Sequence, residues 1–566
     1  MLHQSVRVLD QFLDRPDNRP LFTRAAMAEL DREEEFPAEA CAALDTFGLS
    51  SYYADARHGG RLRDMVELVR LQRTVARRDL TVAVAHGKTF LGSAPVWVAG
   101  SSAQAARLAG AVCEDAVVSW ALSERDHGSD LLSGELTALA QQEGWRIDGE
   151  KWLINNATRG RYLCVLARTS EAGGPRGFSL FLVDKEQLAP GSYRTLPKVR
   201  THGIRGADIS GIAFDSAIVP DEALVGPVGS GIETVLKTLQ LTRTVCAALS
   251  LGALDHGLSI AARYATSRNL YGRDLADLPR VRRILGESAA ALAVAESVTT
   301  LAARSIHTVT PELAVISAVT KAFVPTLVQH TLDRISELLG VRGFLSESYE
   351  DGAFAKLERD HRIVAVFDGS TAVNRNLLID HFPLLARAWR AGTADREALA
   401  MTMPSAPATA FDLTRLQVLS TGGCSIVQLL PEAVGRLKEA APNGLLPRET
   451  SRMADELVAA ATSVHAAMEE VDRTPRDVPQ PAFDLAAEYE LCFAGAALVH
   501  LWLDSARTQY DSLWLQAGLA LVLGRLGLRI DEARAEAFDH LADQLLRTEG
   551  GAPAVRPAQH PQGSVL

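Results

Sequence analysis

One block of short strand-like runs, set between long stretches of helical periodicity, limits what this chain of 566 residues can become. Within residues 116–228, the runs Val117–Leu122, Trp145–Ile147, Tyr162–Ala167, Phe178–Val183 and Ile212–Phe214 are rich in β-branched and aromatic residues. Gly, Asp and Asn turns divide them, so the block reads as one compact β domain. Ahead of it, Arg24–Leu44 (broken at Pro37) and Asp64–Arg78 place apolar residues every third and fourth position, and the turn at His58-Gly59-Gly60 separates them. After Gly229-Ser230-Gly231 the helical pattern returns. Glu233–Thr266, Pro279–His307, Glu312–Gly340 and Ser370–Phe382 are long enough to pack as a four-helix bundle, the last stopped by Pro383. Met401–Ala410 reads as a Pro/Ala/Thr linker. A helical block, Phe411–Val471, a Pro-rich break, Arg473–Pro481, and further helices to about Thr548 follow. The expected division is 1–115 helical, 116–228 β, 229–398 bundle, 411–548 helical extension and 549–566 flexible tail, a mainly α protein with a central β domain.

Composition removes several function classes. A formal net charge of −11 argues against a broad nucleic-acid surface, and 47% hydrophobic with 22% charged residues excludes a wholly disordered chain. The six cysteines form no C-x-x-C pair, which predicts reduced thiols in a cytoplasmic protein without a structural metal. The first fifteen residues carry acids and no apolar core, so no secretory leader is expected. Of the apolar stretches, Leu491–Leu503 is too short to span a membrane, and Gln516 and Arg525 interrupt Leu513–Leu528; both read as buried helices. The run Gly226-x-x-Gly229-x-Gly231 is not a dinucleotide fingerprint, and Gly87-Lys88-Thr89 has Val82 where a phosphate loop needs glycine. There is no H-E-x-x-H, EF-hand loop or G-x-S-x-G elbow.

Six strings, in order, carry a positive signal. Trp120–Asp130, WALSERDHGSD, resembles the T-E-P-x-x-G-S-D signature of acyl-CoA dehydrogenases, with Arg125 in place of its Pro. Gly149–Asn156, GEKWLINN, is similar to that family's G-x-K-x-W-I-T-N, and Gly203–Pro220 to its G-x-R-G-S…F-D-x-V-x-V-P. Tyr264–Gly272 resembles Y-A-x-x-R-x-x-F-G, Leu338–Phe344 resembles I-L-G-G-x-G-F, and Phe367–Thr371 stands at the Y-E-G-T segment. The resemblance spans roughly residues 20–385. It implies a helical domain, a β-barrel-like domain and a four-helix bundle, with FAD between the last two.

By position, the resemblance implies cofactor contacts from Leu122, Ser123, Leu153, Asn155, Arg268, Tyr271, Glu337, Gly340 and Ser370, and substrate contacts from Ser129 and Gly369. A flat isoalloxazine needs an apolar wall and hydrogen bonds to its polar edge. The family's Trp on one flavin face matches Leu153, with Trp152 one place early; neighbouring strand residues face opposite ways, so Trp152 is expected in the core. The guanidinium of Arg268 offers a planar fork suited to a diphosphate. In the family this Arg reaches a neighbouring subunit's FAD, which implies a homodimer or homotetramer. Ser129 falls beside the pantetheine arm or else caps a turn. Asn155 replaces a Thr, and Pro279, Glu337 and Ala372 stand where glutamines often contact FAD.

Removing hydrogens from adjacent carbons of an acyl thioester requires a base for the α-proton and an acceptor for the β-hydride. The family's base Glu is Asp368 here, one methylene shorter, and the alternative base position on an earlier helix is Thr242. Asp368 is therefore the expected base, or else the N-cap of the following helix. The expected substrate is an acyl-CoA or an acyl-carrier-protein thioester of secondary metabolism, with Arg57, Arg61 and Arg63 as candidates for meeting an acidic carrier. A flavin oxidase or monooxygenase of the same fold, or a catalytically degenerate interaction subunit, are the alternatives. The motifs name no electron acceptor. The extension is expected to cover the bundle.

Overall fold

In a computed structural model, the structure describes residues 2–440, 446–472, 477–505, 512–529 and 531–547. The expected tail 549–566, and residues 473–476 of the Pro-rich break, lie outside the described residues. The chain divides into two compact units, Met1–Val245 and Cys246–Leu566.

The first unit opens with helices α1 (Leu2–Leu13), α2 (Arg24–Glu33), α3 (Ala38–Phe47), α4 (Met65–Arg78), α5 (Leu80–Ala99) and α6 (Ser102–Cys113). Asp64 and Asp79 cap α4 and α5 by accepting from Val66 N and Val82 N, which satisfies amides a helix start leaves open. Eight strands follow: β1 (Val118–Ala121), β2 (Thr137–Gln141), β3 (Gly144–Asn155), β4 (Tyr162–Arg168), β5 (Phe178–Asp184), β6 (Tyr193–Leu196), β7 (Ile209–Val219) and β8 (Leu224–Val225). The sheet runs β6-β7-β3-β2-β4-β5-β8, with β1 parallel to β4. Its core gathers Ile147, Ile154, Leu163, Val165, Phe181, Ile212 and Phe214. Sequence pattern missed β2 and β6 and saw only the start of the twelve-residue β3. Polar residues on the exposed faces of these strands dilute the alternation.

Helix α7 (Gly231–Ser267) runs across the division. The second unit continues with hairpin strands β9 (Asn269–Leu270) and β10 (Arg273–Asp274), then α8 (Pro279–Ser305), α9 (Leu313–Leu339), α10 (Val341–Phe344), α11 (Ala353–His361) and α12 (Thr371–Ala391). The extension supplies α13 (Arg396–Thr402), α14 (Ser425–Gln428), α15 (Leu430–Ala440), α16 (Arg448–Glu469), α17 (Gln480–Ser505), α18 (Leu513–Arg525) and α19 (Glu532–Arg547). Pro383 does not stop its helix. It sits inside α12, which ends at Gly392 with φ +62°. Packing along α9, α16 and α17 outweighs the single backbone bond a proline removes. By length and composition α7, α8 and Thr310–Leu339 could cross a membrane, and 89% of each apolar window is buried within the protein.

The extension packs directly on the bundle. A β-carbon at Gly286 of α8 would lie 2.0 Å from the Phe538 carbonyl oxygen, so only glycine lets α19 come this close. Around that contact Arg283 lies over the Phe538 ring and Arg282 pairs with Asp543 at 2.8 Å. Arg375 of α12 forms a two-pronged pair with Glu490 of α17, at 2.8 and 3.0 Å. The stretch read as a linker is strapped down as well: Arg304 donates to the carbonyls of Met401, Thr402 and Ala406, and His307 Nδ1 lies 2.7 Å from the Thr409 carbonyl oxygen.

A buried acid joins the two blocks. Glu312, just before α9, accepts from the Ser425 amide at 2.7 Å and from its hydroxyl at 2.6 Å. Burial pushes its carboxyl up to about 7, against those two bonds and with Asp395 adding to the rise. The folded state thus holds a proton that the unfolded chain releases near the ordinary carboxyl value. Its contribution to stability is complete below that value and is lost as pH rises toward about 7. Glu312→Gln is expected to flatten this dependence and to raise the thermal midpoint most above neutrality. Midpoints from pH 4 to 8 check it, on a scale of about 3 kcal/mol at most; parallel curves for variant and parent would refute it.

Candidate active site

In the first unit, the Leu122–Glu124 turn is tied to β3 by paired contacts. Ser123 Oγ donates to the Trp152 carbonyl at 2.9 Å, and the Trp152 amide donates to the Ser123 carbonyl at 3.0 Å. Lys151 donates to the Leu122 carbonyl at 2.9 Å and to Glu124 at 2.7 Å. Burial alone would raise the Glu124 carboxyl. The Lys151 ammonium and the amides of Glu135 and Leu136 outweigh it and hold the group below its ordinary value. The half-buried Leu122 and Ser123 thereby keep a fixed position beside the strand.

Strand β3 does not alternate through its functional end. Trp152 pairs with Gly211 and Ile154 with Ser210, leaving Leu153 as an unpaired bulge with φ +57°. A leucine in the left-handed region is strained, and such strain collects at functional positions. Leu153 is 43% exposed, an apolar side chain offered outward. Trp152 is not the core aromatic that strict alternation predicted. It is half-buried, with the Arg125 guanidinium 4.8 Å from its ring centroid, because the bulge resets the faces. Both amide atoms of Asn155 are buried and have no hydrogen-bond partner among the described residues. Ser129 is exposed and its hydroxyl caps no turn, since it makes no hydrogen bond among the described residues. Thr242, at the alternative base position, is fully buried and its hydroxyl also has no partner among the described residues.

In the second unit, Asp368 and Gly369 take φ of +54° and +94° in succession, bending the chain between the 3-10 turn Arg362–Ala365 and α12. The helix cap is Ser370, whose hydroxyl accepts from the Val373 amide at 3.2 Å. Asp368 is thus relieved of capping, and Ser370 is occupied by it. Cys246 of α7 donates its S–H to Asp368 Oδ2 at 3.2 Å. The fully buried Lys321 of α9 donates to the Val364 and Gly369 carbonyls at 2.8 and 3.0 Å, and lies 5.4 Å from the Phe367 ring centroid. The Asn374 amide donates to the Gly369 and Ser370 carbonyls, both at 2.9 Å.

The remaining candidates gather at one end of the bundle. Tyr271 and Gly272 both have positive φ, as a tight two-residue hairpin between β9 and β10 requires. That hairpin presents Tyr271 at 88% exposure and an exposed Arg268 with no side-chain partner among the described residues. Nearby Arg342 lies over the Tyr264 ring, placing the exposed Val341 and Phe344 of α10 beside the end of α7. Gly340, at φ +58° and ψ −136°, ends α9 in a conformation that side chains avoid. Glu337 brings its own counter-charges, pairing with Arg280 at 2.7 Å and with Arg334. No cluster of three or more metal-ligating side chains occurs among the described residues.

These residues fit a flavin. Within the first unit the Asn155 amide, without a partner among the described residues, offers a donor and an acceptor to a polar ring edge and Leu153 an apolar surface; within the second, Arg268, exposed and without a side-chain partner among the described residues, suits a phosphate. Comparison with known proteins agrees. The N-terminal, middle and C-terminal domains of acyl-CoA dehydrogenase match residues 22–115, 119–217 and 229–382. A Mycobacterium leprae protein named probable acyl-CoA dehydrogenase fadE25 is 28% identical over 349 residues, covering 62% of this chain and 88% of its own. An acyl-CoA dehydrogenase from Bacillus anthracis, solved in complex with FAD, is similar in fold at TM-score 0.68 and 18% identity, covering 96% of this chain and 94% of its own. The prolyl acyl carrier protein oxidase AnaB aligns at TM-score 0.61 and 18% identity, covering 68% of this chain and 99% of its own.

Proposed function

The chain belongs to the acyl-CoA dehydrogenase family and is an FAD-dependent oxidoreductase, and from that premise we propose that it desaturates an acyl thioester with Asp368 as the base. The observation that carries this reading is the division of labour at 368–370. Ser370 caps α12, so the capping role does not fall to Asp368, whose carboxylate accepts from the Cys246 thiol at 3.2 Å.

The thioester carbonyl acidifies the α-carbon, and Asp368 takes that proton. FAD, when bound, would supply the acceptor for the β-hydride while the electron pair of the α C–H bond closes the double bond. Lys321 and Asn374 fix the backbone on either side of Asp368, at Val364 and at Gly369 and Ser370. In the first unit Leu153 would offer an apolar wall to the ring, and Asn155 and the Leu122–Ser123 backbone would meet its polar edge; in the second, Arg268 would meet a diphosphate. By their places in the strings, Ser129 in the first unit and Gly369 in the second are each assigned to the substrate. Tyr271, Val341 and Phe344 meet a second copy of the chain in a homodimer. The exposed Arg61 and Arg63, and the likeness to AnaB, favour an acidic acyl carrier protein as thioester donor.

The test is anaerobic mixing of the FAD-loaded protein with straight-chain and branched acyl thioesters, on CoA and on an acyl carrier protein. Bleaching of the flavin band by at least one thioester is expected, faster from the carrier. Peroxide on readmitting air would identify an oxidase. A flavin that no thioester bleaches would contradict the proposal.

A further inference from the structure

The two carbonyls that follow Asp368 are each met twice. The Gly369 oxygen accepts from Lys321 Nζ at 3.0 Å and from Asn374 Nδ2 at 2.9 Å. The Ser370 oxygen accepts from the Asn374 backbone amide at 3.0 Å and from the same Nδ2 at 2.9 Å. Both neighbours are acceptors, which fixes the end of the side-chain amide that carries nitrogen. The cost lies at the other end. Asn374 is fully buried, and its Oδ1 has no hydrogen-bond partner among the described residues. Deleting the side-chain amide would leave each carbonyl its second donor and would remove one unmet buried acceptor. For the stability of the fold this amide is dispensable.

We propose that Asn374 is a positioning residue that serves the rate of α-proton removal and not the fold, by locking the bend on which Asp368 stands. This rests on the reading of Asp368 as base. Asp368 and Gly369 take φ of +54° and +94° in succession. A residue other than glycine holds the left-handed region only where its surroundings over-determine it. Lys321 and Asn374 reach the Gly369 carbonyl from two helices, α9 and α12, so together they fix the direction of that peptide. Either bond alone would leave it an axis to turn about. A turn there carries the neighbouring side chain with it, and a reacting group displaced by about 1 Å can lose on the order of 10² in rate. Asn374 is itself sealed within the chain, so it touches neither thioester nor flavin. Its effect passes through Asp368.

Asn374→Ala and Asn374→Leu bracket the amide in size, and both remove its donor. Each is expected to unfold within about 2 °C of the parent. With the FAD-loaded protein and the thioester that bleaches the parent fastest, each is expected to slow anaerobic bleaching at saturation on the order of ten-fold. The half-saturating concentration should not move. In the Asp368→Asn background neither replacement should add a further loss, because the group it positions is gone. A merely structural residue would lower the midpoint and slow both backgrounds alike. The proposal is overturned by a folded variant that bleaches at the parental rate, by a loss confined to the half-saturating concentration, or by equal slowing in the two backgrounds. A midpoint lowered by about 5 °C or more, or failure of both variants to fold, overturns it as well. Failure of the underlying reading is seen separately. Asp368→Asn bleaching at the parental rate removes the base itself, whereas a slow Asp368→Asn beside a parental Asn374→Ala removes only the positioning role.

Discussion

Asp368→Asn is expected to slow anaerobic flavin bleaching by about 10²–10⁴-fold while leaving FAD bound, because it removes a positioned general base. The amide matches the carboxylate in shape, and the loop's other supports, Lys321 to Gly369 and Asn374 to Gly369 and Ser370, do not involve the side chain replaced. Fold and flavin spectrum should therefore survive. Asp368→Glu keeps a base but moves its oxygens by about 1 Å, a displacement that can cost on the order of 10². It should fall between parent and Asn. Stopped-flow bleaching ranks the three, and Asn bleaching as fast as the parent would end the assignment.

The second large effect lies in the extension. Arg375→Met leaves the Glu490 carboxylate inside the protein without its cation. Burial already pushes that carboxyl up, and Arg375 beside it offsets part of the rise. Breaking one half of a buried pair costs about 3–5 kcal/mol, whereas replacing both halves with apolar residues is often neutral. Arg375→Met should lose stability on that scale, and the double replacement with Glu490→Met should recover most of it. Denaturant midpoints of the two variants check this. A single variant within about 1 kcal/mol of the parent would show that α17 does not depend on α12 for its seat.

The order of helical and β blocks was legible because apolar periodicity survives in sequence. The six strings located the strand and the loop where chemistry is expected. What stayed hidden depends on contacts between distant residues. Alternation alone put Trp152 in the core, but the bulge at Leu153 comes from the register against β7. Asp-Gly-Ser-Thr offers two capping candidates, and only the bend at Asp368 and Gly369 decides for Ser370. Pro383 read as a stop because a local rule knows nothing of α9, α16 and α17. The stretch Met401–Ala410 looked like a linker because Arg304, which straps it down, lies about a hundred positions away. Cys246 carries no signal at all. A lone cysteine in an apolar helix is unremarkable until Asp368 is found beside it.

Proton removal from the thioester can be watched on its own. A saturated thioester deuterated at the α-carbon, held with the FAD-loaded protein in light water without oxygen, should bleach the flavin several-fold more slowly than its undeuterated counterpart with the parent. It should retain its label with Asp368→Asn. Equal bleaching rates for the two substrates, or label lost as fast from the Asn variant as from the parent, would contradict the account.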